Sequence, residues 1–514
     1  MLHLARASAV FLLTTVILAL WTAGAMAQLQ ATSEQRTSRY LESIRRQPPL
    51  LLAFLKEMPK GGDLHNHLYG AIYAESFIDY AADSGLCVDH TTSVLIAPPC
   101  DPCEKYANKP AIACAYKDHV LYNQIIDAWS MRNWVPGAES GHDHFFGTFD
   151  KFDLAARLHT GEMVAEAARL AAADHLLYLE LLYTADQMQS AQLGAQVGWV
   201  ENLPAMRDKL LAGGLKDIVA STRKKIDEDE AKMHSVLKCG SQDADPGCSV
   251  RVRFLYQVLR GLPRESVFAQ MLTGFELAQA DSRVVGLDLV MPEDWYVPMH
   301  DFDLHMHMLD YLHEMYPKVH ISLHAGELSL GLVPPEGLSF HIRESIERGH
   351  AERIGHGVSV MHETDALQLL REMAQRGILV EICLTSNDVI LGVRGEEHPF
   401  PVYRQYGVPL ALATDDEGVS RSDMTNEYLR AVQSYDLTYD DLKRLARQSL
   451  EHSFLPGVSL WEETREFVRI EACAGDEPGR KKLSKACQKF LDSSERARTQ
   501  WALETEFAKF ESKF

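Results

Sequence analysis

The feature that most constrains this chain is an alternation. A short apolar run without polar alternation is followed by a helical pattern, and the unit recurs eight times. The runs cover residues 63–67, 176–183, 252–259, 284–290, 319–324, 353–356, 378–384 and 409–413. Strands of this kind, rich in branched residues, belong to parallel sheets, whose crossover helices shield both faces. Eight β-α units predict one closed (β/α)₈ barrel of the α/β class, even for a chain of 514 residues. An open doubly wound sheet would place a glycine-rich phosphate loop after the first strand, and none is there. Between the sixth and seventh runs a helix is expected over 364–376, with Thr364 as its N-cap.

The barrel is expected over 59–470, preceded by an amphipathic helical segment at 28–58 and followed by a charged helical extension at 471–514. An insertion at 86–145, after the first strand, carries four cysteines, and residues 222–250 read as a charged helix and surface loop. Residues 1–27 have the pattern of a signal peptide. Arg6 gives the positive start, residues 9–20 a short apolar run, and Ala25-Met26-Ala27 a small-x-small cleavage site. The expectation is an exported protein, periplasmic or secreted, with no membrane span in the mature chain.

Nine cysteines fit an oxidising compartment. Cys239 with Cys248, and Cys473 with Cys487, are expected to form local disulfides. Among Cys87, Cys100, Cys103 and Cys114 three pairings are open. Export disfavours a zinc knuckle at Cys100-Asp101-Pro102-Cys103. Cys383 is expected as a buried free thiol within the seventh strand. With 72 acidic against 51 basic residues, net −21, the chain is a poor match for nucleic acid or an anionic membrane and suits a small, uncharged or cationic partner.

Four clusters carry chemistry. In His65-Asn66-His67 the two-residue period of a strand puts both imidazoles on one face, a good arrangement for Zn²⁺. In His324-Ala325-Gly326-Glu327 an imidazole ends an apolar strand and a carboxylate follows three residues on, placed to handle a proton. His356, between Gly355 and Gly357, has an accessible ring. In Thr414-Asp415-Asp416-Glu417, successive carboxylates after an apolar strand need solvent, a partner or a metal. These clusters end the first, fifth, sixth and eighth runs, and in a barrel those ends meet at one mouth.

Here the sequence resembles the adenosine deaminase family of the metal-dependent amidohydrolase superfamily. The carrying segments are Met58-Pro59-Lys60-Gly61, His65-Asn66-His67-Leu68, His324-Ala325-Gly326-Glu327, Arg353-Ile354-Gly355-His356-Gly357, Thr385-Ser386-Asn387, His398-Pro399 and Thr414-Asp415-Asp416. Val284-Val285-Gly286-Leu287-Asp288-Leu289 is similar to the family's fourth strand. The cysteine-bearing insertion and N-terminal helix resemble the secreted branch, the adenosine-deaminase-related growth factors.

The resemblance implies one Zn²⁺ per chain, held by His65, His67, His324 and Asp415. It implies that Glu327 protonates ring nitrogen N1, that His356 orients or deprotonates the attacking water, and that Asp416 bonds N7. The substrate implied is adenosine, with 2′-deoxyadenosine alongside; a homodimer is compatible with it. Three positions depart from the family. Tyr69 stands where an acidic residue usually meets the ribose. Met291 stands where a glycine N–H usually faces the purine, and Glu417 where proline often follows the acidic pair. Adenine or another aminated purine is therefore a competing substrate. An extracellular binding or signalling protein that uses the barrel as scaffold is a competing class, disfavoured because such a protein has no need of Glu327 beside four ligands.

Overall fold

The computed structural model describes residues 31–103, 107–137, 139–480 and 482–514. The apolar run at 9–20 and the cleavage site lie outside the described residues. Eight strands form one parallel sheet in chain order: β1 Gly61–His67, β2 Leu176–Tyr183, β3 Arg251–Leu259, β4 Val284–Val290, β5 His320–Ala325, β6 Arg353–His356, β7 Leu379–Ile382 and β8 Leu410–Leu412. All eight expected strands are present. The sheet closes where β1 meets β8, through a parallel bridge between Asn66 and Asp415. Asp415 N–H donates to the His65 carbonyl at 2.9 Å, and His67 N–H donates to the Asp415 carbonyl at 2.9 Å. Barrel closure therefore uses the backbone of the residues expected to ligate metal.

The structure adds detail to one local expectation and corrects two others. The N-terminal helical segment is two helices, Ser33–Ile44 and Pro48–Glu57. Pro48 and Pro49 have no N–H to give a preceding turn, so they start a helix and cannot continue one. The helix expected from Thr364 runs Ala366–Arg376 behind Asp365, whose φ of 52° and lack of a side-chain cap bond displace Thr364 from that role. Strand β7 stops at Ile382. Cys383 is free and buried as expected, but it sits in the turn that opens helix Leu384–Leu391, not in the strand.

Four disulfides join Cys87 to Cys100, Cys103 to Cys114, Cys239 to Cys248 and Cys473 to Cys487. Cys100 and Cys103 thus belong to different bridges, which leaves no thiolate pair for a zinc knuckle. Among the described residues no helix is long and apolar enough to cross a membrane.

Three features position the mouth. Inside the barrel, the Arg353 guanidinium lies between Glu180 and Glu381, each at 2.6 Å, and over the Phe454 ring at 3.8 Å. Such a buried charge triad is tolerable only because every member is paired. Below it, helix Glu495–Glu511 plugs the barrel's lower end: Leu503 and Phe507 pack with Leu64, Tyr178, Leu379 and Ala411. Above, helices Gly141–Phe146 and Phe149–Leu158 of the segment between β1 and β2 roof the mouth. The first approaches so closely that a Cβ on Gly141 would lie 1.8 Å from the Val389 carbonyl oxygen. His142 ties the same helix to Asp294 after β4, Nε2 to Oδ1 2.9 Å.

Candidate active site

At the mouth, the ligand atoms of His65, His67, His324 and Asp415 all lie within 4.8 Å of one another. The sheet irregularity between Asp63 and Asn66 in the β1–β2 pairing falls at the His-x-His segment, where a bulge re-aims side chains. Gly355 on β6 makes room for the His65 ring, since a Cβ there would come within 2.6 Å of the imidazole Cε1. Asp415 and His356 take left-handed φ values of 59° and 68° at their strand ends. Each such turn costs on the order of 1–3 kcal/mol and persists only where surroundings enforce it. Here it swings each side chain from the strand line into the mouth.

The donor set fits a divalent cation with nitrogen and oxygen ligands. Each of the three imidazoles has its Nδ1 engaged: His65 by Glu381 at 2.8 Å, His67 by Gln257 at 3.0 Å, His324 by Asp288 at 2.9 Å. Those bonds fix the rings so that the Nε2 lone pairs converge, the arrangement metal-ligating histidines use. His65 Nε2 is buried without a hydrogen-bond partner among the described residues, and His67 Nε2 faces His324 Nε2 at 3.1 Å. Two neutral imidazole nitrogens so placed need a positive charge between them. The second oxygen of Asp415 accepts from Ser386 Oγ at 2.6 Å.

Glu327 follows β5 on a loop held by Glu293, whose two oxygens accept the N–H groups of Gly326 at 3.0 Å and Glu327 at 2.7 Å. Burial, and after it the charges of Asp415 and Glu293, pushes the Glu327 carboxyl well above the ordinary range. A carboxyl shifted this way holds its proton and can donate it. Asp416 is raised by the same two causes, burial first and then Asp415. Its Oδ1 is buried without a partner among the described residues, and it packs so tightly on Gly70 that a Cβ there would lie 1.6 Å from it. The His356 ring stands 4.9 Å from that of His65, centroid to centroid.

His67, His324, Glu327, His356, Asp415 and Asp416 line a cavity of about 340 Å³, within the usual size of small-molecule sites. Tyr69 and Met291 both line it. Tyr69 lies near Asp153, and burial pushes its phenol up, so it faces the cavity as a neutral group. Met291 has a φ of 85°, and its Sδ and Cε lie over Gly261. Phe145, Phe146 and Phe149 form the roof, while Asp150, Asp153 and Arg157 stand at the rim.

The structure thus brings together His65, His67, His324, Glu327, His356, Asp415 and Asp416, whereas Glu417 is buried beside Asn66, Asp63 and Asp174 and does not line the cavity. Sequence reasoning missed Asp288, Glu381, Gln257 and Glu293, and gave no role to Ser386 or Asn387. A signal existed for the first two: a carboxylate in the middle of an apolar, fully covered strand must have a buried partner.

Comparison with known proteins decides the family. A sequence model of the adenosine deaminase family matches residues 138–459. The chain belongs to the adenosine deaminase family. The match spans β2 to β8, and so includes His324, Glu327, His356, Asp415 and Asp416. An adenosine deaminase of Clostridium perfringens is 32% identical over 151 residues, 29% of this chain and 41% of that protein. One of Shewanella halifaxensis is 26% identical over 226 residues, 43% of this chain and 61% of that protein. The alignments thus span only about two fifths to three fifths of these relatives' length. Among solved structures, an adenine deaminase of Arthrobacter aurescens superposes with TM-score 0.48 and 15% identity, covering 77% of this chain and 94% of its own. An N6-methyl-AMP deaminase of Arabidopsis thaliana does so with TM-score 0.49 and 21% identity, covering 81% and 96%.

Proposed function

We propose that this member of the adenosine deaminase family is an exported zinc aminohydrolase that converts adenosine, and 2′-deoxyadenosine, to inosine-type products and ammonia. The observation that carries the reading is the meeting of three converged imidazoles and Asp415 with the buried Glu327 carboxyl beside one cavity. His65, His67, His324 and Asp415 would hold one zinc ion, which when bound supplies a nucleophile at neutral pH by acidifying water. Water's oxygen forms the new bond to the amine-bearing carbon and the carbon–nitrogen bond breaks; of water's two protons, one leaves with the amine as ammonia and one returns to the Glu327 carboxylate. Glu327 delivers a proton to the ring nitrogen beside that carbon. Asp416 bonds the base on its other edge, and Tyr69 and Met291 form part of the wall beside it.

Charge at the rim favours a nucleoside over a nucleotide. Asp150 and Asp153 stand there, and the one Lys or Arg among the described residues that line the cavity, Arg157, is engaged by Asp153 at 2.9 Å. A phosphate dianion at the rim would meet these carboxylates without an unpaired cation among the described lining residues. The four disulfides accord with an oxidising compartment. The test is ammonia release from adenosine, 2′-deoxyadenosine, adenine and AMP, with and without a zinc chelator. Chelator-sensitive turnover of the two nucleosides is expected, with AMP the poorest of the four. Preference for adenine would reassign the substrate, and activity that survives complete metal removal would refute the zinc assignment.

A further inference from the structure

Two sequence segments, Thr385-Ser386-Asn387 and His398-Pro399, have side chains in the site that the proposed function leaves without a task. Asn387 and His398 are buried, and they form a hydrogen-bonded line that ends on His356. Phe400 N–H meets His398 Nδ1 at 3.1 Å, His398 Nε2 meets Asn387 Oδ1 at 3.1 Å, and Asn387 Nδ2 meets His356 Nδ1 at 3.1 Å.

The direction of every bond in that line is fixed from one end. A backbone N–H can only donate, so His398 Nδ1 must be the accepting nitrogen. Burial holds His398 down to about 4, so at neutral pH its single proton is on Nε2. That proton is donated to Asn387, which must therefore turn its carbonyl oxygen toward His398 and its NH₂ toward His356. The NH₂ donates to His356 Nδ1, which accepts. Flipping the Asn387 amide would set NH₂ against the His398 Nε2–H and leave two buried donors opposed. Glu327 Oε1 also lies near His356 Nδ1, at 3.5 Å, but that is beyond hydrogen-bond length and the nitrogen is already taken.

Building on the reading of His356 as a residue of the reaction, we propose that Asn387 and His398 are positioning residues that lock neutral His356 as the Nε2–H tautomer. It then faces the reaction centre as a hydrogen-bond donor, not as a base. His356 Nε2 is the ring nitrogen left without a partner among the described residues, and the ring lines the cavity. The Nδ1 lone pair is taken by the Asn387 amide, so the imidazole can hold the attacking oxygen in place but has no free site for its proton.

The readout is ¹⁵N NMR of zinc-loaded protein labelled at histidine, with the His356 signals assigned by difference against His356→Gln. The protonated and bare ring nitrogens of a neutral imidazole are distinct in shift. Wild type is expected to show a bare Nδ1 and a protonated Nε2 at His356. Asn387→Asp, of nearly the same shape, presents only acceptors and should move the proton to Nδ1. Its kcat for adenosine should fall by about 10²-fold or more with KM and zinc content unchanged, since a wrong imidazole tautomer is known to cost up to about 10⁴. His398→Gln can still donate to Asn387 and should keep both tautomer and rate, whereas His398→Leu should lose them. A wild-type His356 protonated at Nδ1 would overturn the proposal, as would an Asn387→Asp enzyme of normal kcat. Absence of turnover in wild type would refute the functional reading instead, while the spectrum would still decide the tautomer.

Discussion

At the floor of the cavity each converging imidazole has its other nitrogen tied to Glu381, Gln257 or Asp288, and Glu381 is itself tied to Arg353. The roof has no such scaffold. Phe145 meets Phe146 and Phe149 edge to face, with centroids 5.1 and 5.8 Å apart, on helices held by His142 and by close backbone approach at Gly141. The floor is fixed by directional bonds among strand ends, the roof by apolar contact. Directional bonds hold reacting atoms to fractions of an ångström, as chemistry requires. Apolar contact permits rearrangement at a cost of roughly 1.5–3 kcal/mol per buried aromatic side chain. The two regions should therefore respond differently to perturbation.

The largest effect is expected at the floor. Glu327→Gln keeps the shape and the Glu293 contacts, which use backbone N–H groups, but removes the transferable proton. We expect kcat to fall by about 10²- to 10⁴-fold with zinc content intact. A variant of near-normal rate would remove Glu327 from the mechanism and make the floor no more chemical than the roof.

Next comes the covalent staple of the segment whose strand Leu95–Ile96 packs on the roof helix Phe149–Leu158. The bridges Cys87–Cys100 and Cys103–Cys114 close segments with separations of 13 and 11 residues. Each such loop contributes about 3 kcal/mol by restricting the open chain. Mild reduction should raise hydrogen exchange across residues 86–116 by about 10²-fold, while amides of β5 to β7 keep their protection. Equal loosening of both would mean that roof and floor are one cooperative unit.

The outer partners of the ligands come third. Asp288→Asn alters the acceptor on which His324 Nδ1 relies, so the ring is less firmly oriented. A loss of about 10- to 100-fold in metal affinity is expected, read by competition with a chelator. An unchanged affinity would show that the strand backbone alone suffices to aim His324.

The same division governs how much could be read from the sequence. The eight strands were legible because parallel strands covered on both faces must be apolar throughout, and that pattern is local. The residues of the four clusters were legible for a similar reason, as polar side chains stand at the ends of apolar runs. Glu381, Gln257 and Asp288 are not at ends. Each is paired with a residue at least 36 positions away in the chain, so only the closed barrel shows which imidazole it serves. Thr364 misled as an N-cap because residue preference is weak against the left-handed turn at Asp365. The roof was least legible of all. Its cysteines announced an insertion, but nothing in a run such as Phe145-Phe146-Gly147-Thr148-Phe149 tells whether the rings face a core or a cavity.

The smallest effect sits where floor meets roof. Tyr69 leaves β1 just after the His-x-His segment and lines the cavity beside the rim residues Asp153 and Arg157. It is not one of the metal-ligating or proton-handling groups, and its phenol stays neutral. If it bonds the sugar, it does so as one neutral group to another, worth about 0.5–1.5 kcal/mol. Tyr69→Phe should then raise KM for adenosine by at most about tenfold and leave kcat nearly unchanged, because the interaction is the same in ground and transition states. By the same arithmetic 2′-deoxyadenosine should be turned over within about a factor of ten of adenosine. Discrimination of about a thousandfold between the two nucleosides, roughly 4 kcal/mol, would demand a charged or bidentate sugar contact. Asp150 at the rim is the carboxylate available to make one, and Asp150→Asn would then collapse the discrimination while Tyr69→Phe would not. A fall in kcat with Tyr69→Phe would place the phenol on the floor's side of the boundary, as part of the apparatus that aligns the base over the metal ligands.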